Sequence, residues 1–544
     1  MAFPVSGVQL SSQCTMNFDE SYDVVVIGGG NAGFSAAITA AQSGARVCLL
    51  EKAPLEDAGG NTFYTAAAFR CCFDGLQDLL PNLFQPDGTK GLPQSHIDKI
   101  EMAPYTEADF HADINRVTKG RADPVLADIL VDNSRESVQW LMDNGARFIL
   151  SFNRQSFFID GKYKFWGGMV MNMAGQGKEL FEFHMSTARK HRVDIHFNSP
   201  AIDLIADPTT DGAVGVKVFR DGSLRTIGAQ GGIVLACGGF QASPALRAQY
   251  LGPGWDLAHI RGSKYNTGDG HTMARKLGAK LEGNYSGCHS VAWDANSPLA
   301  SGNRVLTNRY TKSGYPLGIM VNIDGRRFVD EGFDLRNFTY AVYGKEILKQ
   351  PQGIAFQVWD ANGSRFLRQE EYADDVTANI RAETLDQLAN ILVTKGLKDK
   401  TQFLKTIAEF NAACMSFQQE CPGTRFDPAV KDGMSTQGTS RSLEIGKTNW
   451  AMPIEHGPFQ AVEVTCGVTF TFGGLAVTRA AEVLSEATFR KIDGLYCAGE
   501  LLGGLFWDNY PGGSGLTMGT VMGRIAGREA ASRAKTRGAG DDSM

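Results

Sequence analysis

Residues 23–51 read DVVVIGGGNAGFSAAITAAQSGARVCLLE: an apolar strand, a glycine turn, a small-residue helix and a second apolar strand closed by an acid. That is the order in which a βαβ unit grips a dinucleotide. Gly28 and Gly30 are expected to take backbone angles that a side chain forbids and to let the chain approach a pyrophosphate, while Gly33 lets the helix lie tight against the strand. The helix N-terminus, at Asn31 and Ala32, then faces the phosphates with unpaired N–H groups and a partial positive charge. Glu51 lies 23 residues beyond Gly28, at the end of Val47-Cys48-Leu49-Leu50, with Lys52 beside it. Its carboxylate can accept hydrogen bonds from ribose hydroxyls and disfavours a 2′-phosphate there. A glycine run alone also occurs in ordinary tight turns; with both strands, the helix and the acid in place, the dinucleotide reading prevails.

The far end of the chain points to FAD rather than NAD. Residues 492–500, IDGLYCAGE, form a short apolar strand ending in small residues and Glu500. A second strand returning to the same nucleotide suits a long cofactor. Asn509 to Leu516, NYPGGSGL, then leads into a helical pattern through Met518, Val521 and Ile525. Its start, at Ser514, Gly515 and Leu516, is a second helix N-terminus, suited to stabilising negative charge on the pyrimidine edge of a reduced flavin.

Composition agrees with a large enzyme. The 544 residues are 43% hydrophobic and can bury at least two cores. A net charge of −6 gives no electrostatic case for nucleic acid or an anionic membrane. No run approaches the ~18 apolar residues of a membrane span, and residues 1–20 lack the pattern of a signal peptide, so a cytoplasmic location is expected. The 10 cysteines include no CxxC or CxxCH, so neither zinc, an iron-sulfur cluster nor c-type haem is indicated. Electrons are expected to pass to or from an external partner. The vicinal Cys71 and Cys72 read as packing residues.

Motifs spread in order over nearly the whole chain carry a resemblance. These are GGGNAG at 28–33, GGNTFYTAAAFR at 59–70, GIVLACGGF at 232–240, GRRFVDEGFDLRNFTY at 325–340, FTFGGL at 470–475, CAGE at 497–500 and NYPGGSGL at 509–516. The chain resembles the fumarate reductase and succinate dehydrogenase flavoprotein superfamily, most closely its tricarballylate dehydrogenase-like FAD enzymes. The resemblance implies an α/β fold, with a Rossmann-like FAD-binding domain at 21–283 and 467–544, an inserted α+β capping domain at 284–466, and a polar arm at 1–20. It implies flavin contacts at Gly60, Asn61, Thr62, Ala236 and Gly238. No histidine lies in 59–70, where covalent-flavin members attach the cofactor, so FAD is expected to be non-covalent.

By the same resemblance Arg336 matches the arginine that handles the substrate proton, across a one-residue insertion after Glu331, with Arg327 as runner-up. Asp330, Glu331 or Asp334 are candidate partners for it, because a lone arginine is a poor acid–base group. His289 and Ser290 match substrate-contacting residues, and Thr307 matches a threonine that holds a carboxylate. Three positions depart from the reductase pattern. Asn308 stands where the reductases carry an acid, Thr469-Phe470 where they have a second histidine, and Tyr510 where an arginine clamps the far carboxylate. These losses argue against a simple dicarboxylate. Tyr510-Pro511-Gly512-Gly513 is also similar to 3-ketosteroid dehydrogenases, in which the tyrosine hydroxyl helps polarise a carbonyl. The aromatics of 156–168, read as a glycine-punctuated loop, together with Phe506 and Trp507, suggest an aromatic pocket.

The expectation is therefore a small-molecule oxidoreductase moving a hydride between flavin N5 and a carbon–carbon bond next to a carboxylate or carbonyl, in the sense of a tricarballylate-like dehydrogenation. The alternatives are an ene-reductase of fumarate reductase type, a 3-ketosteroid dehydrogenase-like enzyme, an oxygen-using oxidase, and a non-catalytic electron-transfer subunit.

Overall fold

The structure, a computed structural model, describes residues 16–541. Residues 1–15 of the expected arm lie outside the described residues, and Glu20 already opens the first strand. β1 (Glu20–Ile27) buries Val24, Val25, Val26 and Ile27. A β-branched run covered on both faces is what a central parallel strand requires. α1 (Asn31–Gln42) and β2 (Val47–Leu50) complete the unit, with Val24 opposite Val47 and Ile27 opposite Leu50.

α2 (Pro124–Asp143) buries Leu126, Ile129, Leu130, Val138 and Leu141 and leaves Val125 exposed. Asp123 caps it through the N–H groups of Val125 and Leu126. The stretch read as a loop at 156–168 is instead a hairpin of Ser156–Ile159 and Lys162–Phe165, turning on Asp160 and Gly161 at φ 52° and 80°. Asp-Gly with both residues at positive φ is the favoured two-residue hairpin turn. α3 (Gln176–Lys190) follows, and after it come β3 (Asp194–His196), β4 (Ala201–Ala206), β5 (Ala213–Arg220) and β6 (Ser223–Leu235).

The middle of the chain builds a second sheet from β7 (Cys288–Asp294), β8 (Ile319–Asn322), β9 (Ala355–Trp359) and β10 (Phe459–Thr471), with α4 (Lys400–Glu420) against it. The period of a strand shows in β8: Ile319 and Val321 pack with Phe403, Ile407 and Phe410 of α4, while Met320 packs with Tyr315, Trp359 and Val462 on the other side. β10 pairs with β7 and β9 and runs past residue 466 as a single strand, leaving this sheet only after Thr471.

β11 (Glu482–Leu484), β12 (Lys491–Cys497) and α5 (Ser514–Asp541) return to the first sheet, whose order is β4-β5-β6-β1-β2-β3 with β12 on β6 and β11 on β12. α5 crosses α1 on small residues. A Cβ at Gly523 would lie 2.5 Å from the Ala32 carbonyl oxygen, and one at Gly527 2.2 Å from that of Ala36. Backbone-to-backbone approach of this kind fixes both helix N-termini under the same cavity.

Candidate active site

A cavity whose space open to the centres of water molecules is about 270 Å³ runs from Leu50 and Glu51 past the glycine turn and Asn61 to Arg336 and Tyr510. At its first end Gly28 has φ 110°, and a Cβ there would sit 2.3 Å from the Ala236 carbonyl oxygen, so only glycine fits. Gly33 lies beneath the turn, not on the cavity wall, and a Cβ on it would be 1.9 Å from the Gly28 oxygen. Gly30 differs from the expectation: at φ −90° its backbone is open to any residue, and its small size serves the cavity wall. The residue before α1, Gly30, has no side chain with which to cap it.

Glu51 accepts from the Gly29 and Ala53 N–H groups, each at 2.8 Å, and so holds the turn; burial pushes its carboxyl up. Lys52 reaches Thr267 and Asp269 at 2.7 and 2.5 Å. Asn31 turns its side chain inward, donating to the Leu516 carbonyl at 2.9 Å with its Oδ1 2.9 Å from His184 Nε2, and so ties α1 to α5 and α3. Its own N–H donates to Thr62 Oγ1 at 2.8 Å. Asn61 donates to Glu500 at 2.9 Å, and burial raises the Glu500 carboxyl to about 7. Ala32, Gly60, Ala236, Gly238, Gly515 and Leu516 also face the cavity, whereas Ser514 bonds back to Pro511 and is not on the wall. The glycine cradle, the α1 start and the small wall residues would fit FAD, with the glycine turn and the α1 N-terminus holding its pyrophosphate.

The other end of the cavity is shaped by a bulge. β7 and β10 pair His289 with Phe470 and Ser290 with Val468, so Thr469 is the extra residue. The bulge turns Thr469 and His289 to the cavity together, 3.0 Å apart. Burial, then the nearby Arg261, holds His289 well below its usual range, so it is a neutral imidazole, and its Nε2 is buried without a partner. Its ring lies edge-on to Tyr340 and Tyr510, whose hydroxyls are 2.8 Å apart. Phe470, Phe472 and Phe506 surround Tyr510, and burial pushes its phenol well up.

Arg336 lies on the wall at the start of a short helical turn, Arg336–Thr339, and its Nη2 donates to the Arg154 carbonyl. Burial lowers its guanidinium and the Glu371 carboxylate opposes that shift. The three carboxylates suggested as its partners are engaged elsewhere. Glu331 binds Arg327, Asp330 accepts from Gly332 and Thr448, and Asp334 pairs with Arg116. Arg327 is held by Glu331 and the Ile445 carbonyl and is not on the cavity wall. Ser290 and Thr307 are corrected as well. Ser290 Oγ accepts from the Lys345 N–H, and Thr307 Oγ1 donates to the Arg261 carbonyl at 2.8 Å, so neither lines the cavity. Gly513 lines it; Gly512 does not, and its carbonyl is bound by Arg70.

The fold adds arginines that the motifs did not reveal. Arg154, Arg261 and Arg368 line the cavity with Arg336. Arg154 pairs with Glu370 and Arg368 with Glu371, at 2.8 and 2.9 Å. Arg261 is 9% exposed, its Nε has no partner, and among the described residues neither it nor Arg336 has a carboxylate within ion-pair distance. Cationic side chains therefore reach this cavity from elements other than those carrying positions 469 and 510. Arg261 follows a two-residue strand, His259–Ile260, that pairs with Gly467 and Val468, and such long-range pairing brings it here.

Among the described residues no helix is long and apolar enough to cross a membrane, and no group of His, Cys, Asp and Glu is placed to hold a metal. The family model for FAD binding domains matches residues 23–516. The chain is 26% identical over 500 residues to a probable fumarate reductase of Shewanella frigidimarina, covering 91% of this chain and 72% of that protein. It is 27% identical over 527 residues to a vinyl phenol reductase of Lactiplantibacillus plantarum, covering 91% and 93%. The open conformation of a flavocytochrome c3 fumarate reductase superposes with a TM-score of 0.68 at 25% identity, covering 95% of this chain and 79% of that one. The chain belongs to the FAD binding domain family, within the fumarate reductase and succinate dehydrogenase flavoprotein superfamily, and is a FAD-dependent dehydrogenase or reductase of carbon–carbon bonds.

Proposed function

We propose that this enzyme exchanges a hydride between its flavin and a carbon–carbon bond adjacent to a carboxylate, and that Arg261 binds that carboxylate. The observation that carries the reading is the buried Arg261 guanidinium without an anion beside it. A buried cation left unpaired costs on the order of 3–5 kcal/mol, which a bound carboxylate offsets. FAD, when bound, supplies two-electron hydride chemistry. Arg336, the other arginine of the cavity wall without an ion pair, is assigned the proton at the carbon α to the carboxylate, with the Glu371 charge tuning it. Neutral His289, set by Thr469, offers a hydrogen bond to the substrate without adding charge. The Arg154 carbonyl takes an N–H from both Arg336 and Arg368 and fixes their directions. Non-covalent attachment of FAD is part of the proposal.

A tricarballylate-like polycarboxylate satisfies the Arg261 requirement, and so does an acid with an uncharged tail. The fumarate and vinyl phenol reductases among the relatives are named for reductions, which the same residues serve in reverse. A second reading, a cyclic ketone polarised by a tyrosine hydroxyl, is favoured by the Tyr510–Tyr340 pair on the cavity wall. The test is an anaerobic screen of the flavin colour. Tricarballylate and saturated acids are added to oxidised enzyme, enoates and cyclic enones to reduced enzyme. A response to carboxylic acids supports the Arg261 reading; a response to ketones alone replaces it with the tyrosine reading.

A further inference from the structure

A second cavity, with about 70 Å³ open to the centres of water molecules, adjoins the first and shares Ser313, Arg336 and Arg368 with it. One water needs about 10–15 Å³ on that measure, so the space takes a group of several heavy atoms. Its wall is apolar and aromatic. Phe157 and Trp166 stack with centroids 5.3 Å apart, and Leu335, Phe366 and Trp450 complete the enclosure.

Three neutral side chains on this wall have partners within the protein. Trp450 Nε1 donates to the Asp427 and Val430 carbonyls, the Tyr372 hydroxyl donates to Gln357, and Ser313 Oγ donates to Glu371. Trp166 Nε1 is buried with no partner. An unpaired buried N–H costs about 1–3 kcal/mol, and an acceptor on a ligand removes that cost. The hairpin that carries Phe157, and that Trp166 directly follows, continues from Arg154, which lines the reaction cavity. One segment therefore shapes both spaces.

We propose that the second cavity seats the ring of the substrate, so that the substrate class is an aryl-bearing α,β-unsaturated carboxylic acid or its saturated form. The carboxylate lies on Arg261, the reacting bond beside Arg336, and the ring against Phe157 and Trp166. A ring hydroxyl or ring nitrogen accepts from Trp166 Nε1. This rests on the carboxylate reading of the reaction cavity. A flat ring suits stacked aromatic walls better than a branched alkyl group, and a polyanion gains nothing from an apolar enclosure whose cations, Arg336 and Arg368, both face the first cavity as well.

The experiment uses the reduced holoenzyme without oxygen and three probes: crotonate, cinnamate and a ring-hydroxylated cinnamate. The expected result is a KM for cinnamate at least 10-fold below that for crotonate. Phe157→Ala raises the cinnamate KM about 10-fold and leaves crotonate turnover within twofold. Trp166→Phe, which keeps a ring and removes the N–H, abolishes any advantage of the hydroxylated ring. Equilibrium binding of cinnamate, followed by tryptophan fluorescence, weakens in parallel in Phe157→Ala. Crotonate reoxidising the flavin while both cinnamates fail, or equal responses to all three in wild type and both variants, overturns the ring site and leaves the carboxylate reading standing. Failure of all three, with cyclic enones reoxidising the flavin, overturns both.

Discussion

At the scale of single residues the account rests on two guanidiniums with different tasks. Arg336→Ala is expected to keep the flavin spectrum and lose turnover by at least ~100-fold, the size of a positioned proton-transfer group, as read by steady-state kinetics. Arg261→Gln should instead raise KM for a carboxylate substrate by ~100-fold with a smaller change in kcat, since it removes a charge-assisted contact made before the chemistry. Glu500 carries a pH prediction. Its carboxyl is raised from 4.5 to about 7 by burial. Between those values the folded chain holds a proton that the unfolded chain has released, so stability falls as pH rises through this window, by up to about 1.4 kcal/mol per pH unit. Glu500→Gln should flatten that slope in melting temperatures of the flavin-free protein. The motifs exposed Arg336, His289 and Tyr510 because each sits in a run with a recognisable neighbour pattern. Arg154, Arg261, Arg368 and Glu371 had no such local mark, since ion pairing and cavity placement arise only from tertiary contacts.

At the scale of elements, the βαβ unit was legible because burial imposes a pattern on the sequence: four consecutive buried apolar residues in β1, answered by the four of β2. The hairpin at 156–165 carried its signal in Asp160-Gly161, but glycines at 161, 167 and 168 together read as a loop. The bulge at Thr469 has no sequence signature of its own, because it depends on which residue of β7 lies opposite. The α1–α5 crossing offers a direct test. Gly523→Val places atoms where even a Cβ is 2.5 Å from the Ala32 carbonyl, so a loss of ~2 kcal/mol or more in denaturant unfolding is expected, together with weaker FAD retention. Gly396→Ala serves as the control: that residue, unlike Gly523, has positive φ, but a Cβ there meets nothing within 4 Å, so its cost is backbone strain alone and FAD retention should not change.

At the scale of the whole molecule, one sheet and two helix starts form one end of the cavity, and the bulged strand of the second sheet brings its residues to the other. The resemblance implied a split flavin domain with an insertion; how β10 serves both the second sheet and the cavity was not readable, because its length exceeds any local motif. Acid denaturation should release the flavin into the supernatant, measured by its absorbance after precipitation. The most direct test of the central claim is anaerobic titration of the reduced enzyme with an enoate and, separately, with its methyl ester. The account predicts that the enoate restores the yellow flavin band with one equivalent per flavin, whereas the ester does so at least ~100-fold less effectively. Equal action by the two, or no colour returning with the enoate, would contradict it.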